Sequence, residues 1–428
     1  MPGCWCCHGD ALTHDEHLAA EAELVEFGLD WWHSTRPNHD GARVTWAATD
    51  VPLTSVSAAP CIHTLEYTSG TPESGAPALV MIHGFGFGAA LYYAAAPPLA
   101  TEWPGRVFSI DQLGCGLSSR PPWPYPRGHR CPVSVAEAYF VDAIEAWRAA
   151  LSLDTIVLLG HSIGGYIAAA YAERHPERVR QLVLASPAGV PHPPEGLAEV
   201  HAKAPRVLKL VRSLVRRGWS PMLLTRDLGM GRRLLTNYMS RRFGDEQPWI
   251  AKPLLLNYLL GIWCRSPKSA GGYMVQALMA VGGIPKGSQG EFVYARHPLA
   301  ERLLALVKLV PRVSLIYGEF DWINWRNGAD VARAQQAQPG GAVTGAPIDV
   351  WRVAQGTHQH MIDNPRGFAD AVLSAIRGAA NNGAVLVTAP FGAGFGRHYG
   401  AHAKIFKRVT GVKLPQDEDY IEIWAPGQ

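Results

Sequence analysis

The apolar run Ile156-Val157-Leu158-Leu159 leads directly into Gly160-His161-Ser162-Ile163-Gly164, and a helix-like stretch from Gly165 to Ala172 follows. Few architectures accept a strand, a sharp turn and a helix in that order with serine at the apex. Glycine at both ends lets the chain turn without a Cβ clash, and the strained corner lifts the Ser162 hydroxyl into a cleft. The helix beyond offers free N–H groups to a developing oxyanion. The segment reads as a nucleophile elbow.

A serine hydroxyl needs a base, and the base needs an orienting acid, here in the chain order Ser, Asp or Glu, His. Val313-Ser314-Leu315-Ile316-Tyr317-Gly318 reads as a strand followed by Glu319-Phe320-Asp321. Ile348 to Val353 reads as another, leading to Gln355-Gly356-Thr357-His358. Asp321 is the candidate acid and His358 the candidate base. Glu319 is the rival acid, and Asn324 is an uncharged acceptor. His360 is the rival base, expected to face away from the loop apex. The second donor of an oxyanion hole comes from an earlier strand end. Ala78 to Ile82 is a buried-strand pattern, followed by His83-Gly84-Phe85-Gly86-Phe87-Gly88. The Phe85 N–H is expected to pair with that of Ile163. This glycine run contains neither G-x-G-x-x-G nor a following Gly-Lys-Ser/Thr, so a nucleotide loop is excluded.

With 428 residues, 47% of them hydrophobic and 18% charged, the chain can bury a large core. A net charge of +3 with no base-reading motif argues against a nucleic-acid partner. Seven scattered cysteines and no recognisable secretory leader point to reduced thiols and a cytoplasmic setting. The cluster Cys4, Cys6 and Cys7 is open to three readings: S-acylation, a metal site with His8, or idle thiols at a frayed end. Met1-Pro2-Gly3 is no myristoylation start. The best apolar run, Pro253 to Cys264, is too short to span a bilayer, so any membrane contact is expected to be peripheral.

Five segments are expected. Residues 1–43 form an N-terminal extension in which Leu18, Ala22, Val25, Leu29 and Trp32, with Trp31 beside them, recur at helical spacing. Such a helix either lies on lipid or packs on the protein's own core. Residues 44–190 and 300–378 are the two halves of a core in which strands alternate with helices, implying a mostly parallel sheet covered on both faces. In the first half, Ser134 and Glu137 form a capping box before a helix with Phe140, Ile144, Trp147 and Leu151 on one face. Residues 191–299 read as a helical cap. Between Glu199 and Arg242 it is basic, with Lys203, Arg206, Lys209, Arg212, Arg216, Arg217, Arg226, Arg232, Arg233, Arg241 and Arg242 against Glu199 and Asp227. It suits an anionic lipid head group, or is simply a solvated face. Residues 379–428 are a Gly/Ala-rich tail with an acidic end.

With these motifs in place, the chain resembles a known family: the α/β-hydrolases that include the lipid-droplet lipase coactivator and plant relatives described as lysophosphatidic acid acyltransferases. The resemblance runs from about Leu24 to Arg377. It is carried by Asp111-Gln112-Leu113-Gly114 with Ser118-Ser119-Arg120-Pro121, by Leu158 to Tyr166, by Tyr317 to Trp322, and by His358 to Pro365. It implies an α/β-hydrolase fold with a helical cap and a serine hydrolase acting on phospholipids or neutral glycerolipids at a membrane or droplet surface. No metal or cofactor is implied. The coactivator subgroup has asparagine at the elbow; Ser162 places this chain with the hydrolytic branch. The family reads His358 and Asp363 together as an H-x4-D acyltransferase motif, although Asp363 equally suits a helix cap. An acyl–Ser162 intermediate serves both outcomes, attacked either by water or by a lysolipid hydroxyl. The alternatives are a small-substrate hydrolase or peptidase, and a droplet-bound lipase regulator with a vestigial triad.

Overall fold

The computed structural model describes residues 13–36, 42–56, 58–127, 130–193, 210, 213–214, 217, 231–243, 247–264, 270–281, 293–337, 348–378, 385–387 and 422–423. The cysteine cluster Cys4, Cys6, Cys7, the cap basic residues Lys203 to Arg216 and Arg226, and most of the tail lie outside these residues.

The strands are β1 (Val44–Pro52), β2 (Cys61–Ser69), β3 (Ala78–Ile82), β4 (Val107–Ile110), β5 (Ile156–His161), β6 (Val179–Ala185), β7 (Met279–Val281), β8 (Val293–Ala295), β9 (Val313–Gly318), β10 (Asp349–Val353), β11 (Val385–Val387) and β12 (Glu422–Ile423). Apart from the antiparallel pair β7–β8 they form one sheet, ordered β1-β2-β4-β3-β5-β6-β9-β10-β11-β12. β1, β2 and β4 pair antiparallel in turn, and every pairing from β4 onward is parallel. Every residue of β3 and β5 is buried. Along β5, Ile156 and Leu158 enter the core on one face, and Val157 and Leu159 the core on the other. An apolar run without alternation is what a strand covered on both sides requires. All the parallel strands deliver their loops to one edge, where the site lies.

The helices are α1 (His14–Ser34), α2 (Ala96–Glu102), α3 (Val133–Ala150), α4 (Ile163–Arg174), α5 (Gly231–Arg242), α6 (Lys252–Cys264), α7 (Ala270–Leu278), α8 (Ala300–Leu306), α9 (Trp325–Gln336), α10 (His360–Asp363) and α11 (Pro365–Arg377). α1 begins at a capping box made by Thr13 and Glu16. It packs on the protein's own core: Leu24, Val25, Leu29, Trp31 and Trp32 are buried with α2, α6 and α11. The Trp32 Nε1–H donates to Thr101 Oγ1 at 2.9 Å, and Trp31 lies 5.6 Å from the Trp249 ring. The aromatic face is therefore closed to lipid.

Two local expectations change. The Ser134–Glu137 capping box does not form; Pro132 is the N-cap of α3 and makes no side-chain cap. Glu137 is drawn instead to the Tyr166 hydroxyl and to Arg302, whose Nη1 lies 2.8 Å away. A charged partner outcompetes a backbone N–H for that carboxylate. Asp363 does not cap α11 either. Asn364 does, accepting the Gly367 N–H at 2.8 Å.

Candidate active site

The elbow closes because its neighbours have no room for side chains. Ser162 sits at φ 56°, ψ −122°, a conformation that is strained for a non-glycine residue. A Cβ on Gly160 would lie 2.4 Å from Gly164 O, and one on Gly164 only 2.3 Å from His83 O. A Cβ on Gly84 would press on Ser162 Cβ at 2.9 Å. The backbone of Ser162 is tied by its N–H to Ala185 O at 2.9 Å, while its carbonyl accepts from Gly165, Tyr166 and Ala188. Its side chain makes no cap bond to α4 and is left for other work.

That hydroxyl lies 3.0 Å from His358 Nε2, and His358 Nδ1–H donates to Asp321 Oδ1 at 2.9 Å. Asp321 also accepts the Ile323 N–H at 2.9 Å and, through Oδ2, the Ser186 hydroxyl. Burial alone would raise the Asp321 carboxyl. The charge and hydrogen bond of His358, then the Ser186 hydroxyl, outweigh it and hold the group below the usual carboxylate range. The His358 carbonyl accepts the His161 Nε2–H at 2.8 Å, and the Trp322 ring lies tilted against the His358 ring, 4.6 Å between centroids. Ser186 went unread in the sequence. It follows the last residue of β6 at φ 46°, fully buried; its only sequence mark is a small polar residue at the exit of the strand beside β5.

The rivals are occupied elsewhere. Glu319 Oε2 accepts the Gln355 N–H at 2.8 Å. Asn324 caps α9 through the Arg326 N–H at 3.1 Å. His360 is wholly buried, with Nδ1 toward Thr357 O at 3.2 Å, and burial drives its pKa down to about 4. His161 is buried and pushed well below the ordinary histidine value, first by burial and then by the facing His358.

Ile163 opens α4, so its N–H has no acceptor one turn back. Phe85 lies in the loop after β3, which turns at Gly86 with φ 80°. Neither N–H has an acceptor among the described residues. His83 braces this loop: Nδ1–H donates to Gly84 O at 2.8 Å, and Nε2 accepts the Gln112 N–H at 3.1 Å. Asp111 fastens its far end, accepting the Ala89 and Leu117 N–H groups, each at 2.6 Å. A cleft beside the elbow is lined by His83 to Phe87, residues 114–116, Arg120, Ile262 and Met274. Helix α6 borders it through Ile262, with Trp263 Nε1–H on Gly86 O at 2.9 Å. Such a site presents an oriented hydroxyl, a base in line with a carboxylate, and backbone donors beside a largely apolar wall. Among the described residues no cluster of metal-binding side chains occurs.

The fold and this constellation define an α/β-hydrolase. The alpha/beta hydrolase fold family model matches residues 77–218. A probable 1-acylglycerol-3-phosphate O-acyltransferase of Oryza sativa is 34% identical over 85% of this chain and 81% of its own length. A (lyso)-N-acylphosphatidylethanolamine lipase of Mus musculus is 33% identical over 59% of this chain and 68% of its own. In fold, a carboxylesterase of Bacillus subtilis superposes with a TM-score of 0.51 at 18% identity, covering 85% of this chain and 99% of that one. The chain belongs to the α/β-hydrolase family, in the group with these lipid acyltransferases and lipases.

Proposed function

We propose that the chain is a serine hydrolase of lipid esters that works through an acyl–Ser162 intermediate. His358 takes the Ser162 proton as the hydroxyl attacks the ester carbonyl, and Asp321 steadies the imidazolium that forms. The Phe85 and Ile163 N–H groups hold the tetrahedral oxyanion. His358 then returns the proton to the departing alcohol. Water or the hydroxyl of a lysophospholipid attacks the acyl–enzyme next, and the extent to which the cap excludes water sets the partition between them. The observation that carries this reading is the unbroken Ser162–His358–Asp321 chain, at 3.0 and 2.9 Å, beside an apolar cleft.

We assign lipid-surface contact to the outer face of α5, where Arg232, Arg233 and Arg241 are exposed beside Leu234 and Tyr238. Among the described residues no helix is long and apolar enough to cross a membrane, which fits a peripheral contact.

The test is acyl turnover on labelled phospholipids and triacylglycerol, with and without lysophosphatidate as acceptor, for the protein and for Ser162→Ala. The reading expects fatty acid without acceptor, new phosphatidate with it, and neither from the variant. Turnover confined to short-chain soluble esters would make it a small-substrate hydrolase. No turnover on any ester would leave a non-catalytic lipase regulator.

A further inference from the structure

Helix α5 belongs to the cap, yet its last residue reaches the loop that carries His358. Gly231, Leu235, Met239 and Arg242 share the helix's buried face, so a guanidinium ends an otherwise apolar stripe. Arg242 Nη2 donates to both Asp363 oxygens, at 2.6 and 2.7 Å, and Arg242 Nε donates to Gln359 Oε1 at 3.2 Å. The Asp363 carboxylate also accepts the Thr357 N–H at 2.7 Å and the Thr357 hydroxyl at 2.8 Å. Thr357 and Gln359 are the two chain neighbours of His358. One cap side chain thus grips the loop on both sides of the candidate base.

We infer that Arg242 and Asp363 are positioning residues for His358, coupling the seat of cap helix α5 to the alignment of Ser162, His358 and Asp321. This rests on the serine chemistry proposed above. The loop from Gln355 to Gln359 lies between β10 and α10 and has neither a helix nor a strand ladder to hold it. Gln355 stands at φ 59°. The His358 carbonyl bond to His161 and backbone bonds from Phe320 to Gly356 O and from Ile362 to Gln359 O tie the loop, and the Thr357–Asp363–Arg242 clamp adds the side-chain hold on both neighbours of His358. Both charges of the clamp are buried, Arg242 at 8% and Asp363 at 1% exposure. Charged hydrogen bonds in a dry site set distance and direction more narrowly than apolar contacts do. The Asp363 carboxylate is filled by these donors, so its place in H-x4-D is to hold the histidine loop rather than to handle an acyl group. Hydrolysis and acyl transfer, which share His358, must respond to it together.

The experiment compares the unmodified protein with Arg242→Gln and Arg242→Lys. The readouts are the fluorophosphonate labelling rate of Ser162, kcat and KM on a soluble p-nitrophenyl butyrate, and thermal unfolding to count folded protein. A misplacement on the order of 1 Å at the reacting atoms costs about 100-fold, so in Arg242→Gln the labelling rate and kcat fall together by about 10- to 100-fold while KM stays within about threefold. Arg242→Lys keeps the charge without the planar reach to Gln359 and recovers part of the rate, remaining about fivefold below the unmodified protein. Folded Arg242→Gln with undiminished kcat and labelling, changed only in unfolding temperature, overturns the inference. If Arg242→Gln does not fold, Arg242→Lys with undiminished rates overturns it equally. Absence of labelling in the unmodified protein would instead sink the serine chemistry beneath it.

Discussion

Among the described residues, two buried histidines, His358 and His63, are hydrogen-bonded to carboxylates, and they differ in whether a ring nitrogen is left to accept a proton. His358 gives Nδ1–H to Asp321 and turns Nε2 toward the Ser162 hydroxyl. His63, on β2, gives Nδ1–H to Asp50 at 2.8 Å and Nε2–H to Glu21 of α1 at 2.6 Å. Burial works against a charged His63, but the hydrogen bond and charge of Glu21, with Asp111 and Asp50 behind them, raise it to about 9. Burial lifts the Glu21 carboxyl to about 7. A ring that donates from both nitrogens has no lone pair to accept a proton, so His63 is a strut joining α1 to the sheet. Proximity of histidine to carboxylate is therefore no mark of catalysis; an accepting nitrogen aimed at a hydroxyl is.

Exchanging the two roles by mutation tests the contrast. His358→Gln should cost about 10⁴–10⁶ in kcat with the fold retained, since the nucleophile loses its base. Asp321→Asn should cost on the order of 10⁴ by holding the wrong imidazole tautomer, read on the same ester assay. His63→Gln should leave kcat per folded molecule within about twofold but cost about 3–5 kcal/mol of stability in denaturant unfolding, because Glu21 is left buried without its partner.

The pH dependence follows from the raised folded values. The native state holds the His63 proton more tightly than the unfolded chain does. Its contribution is complete below the unfolded value near 6.5 and is lost as pH rises through about 9. The raised Glu21 carboxyl acts in the same direction between its unfolded value near 4.3 and about 7. Unfolding temperature should therefore fall toward alkaline pH, and His63→Gln should flatten that fall above neutrality. His360 has the opposite sign. Buried neutral with a folded value of about 4, it removes stability as pH drops below about 6.5. The smallest effect belongs to Glu319→Gln, which removes a carboxylate that accepts the Gln355 N–H; kcat should stay within about threefold. A loss near that of Asp321→Asn would move the acid to Glu319.

How far the sequence could be read depended on how local each determinant is. The elbow is local: Gly160 and Gly164 are required by contacts within and beside the turn, so the motif is visible in five residues. The positions of Asp321 and His358 follow from strand ends, which apolar runs mark. Ser186 and Arg242 act across 135 and 121 residues of chain, on Asp321 and Asp363, and no local pattern announces such partners. Arg242 did leave one trace, since it falls on the apolar stripe of Leu235 and Met239, where a solvated arginine would not be placed. The Ser134–Glu137 box failed because Arg302, far along the chain, claims Glu137. α1 showed its apolar spacing plainly, but what lay against that face was decided by α2 and α6.

The central claim is that the Ser162 hydroxyl is the activated nucleophile of this site. Incubating the protein with a fluorophosphonate and locating the adduct by peptide mass spectrometry tests it most directly. Stoichiometric modification of Ser162, abolished in His358→Gln and preserved in His63→Gln, is the result expected. A Ser162 that stays unmodified while the folded protein hydrolyses esters, or one labelled equally fast without His358, would contradict it.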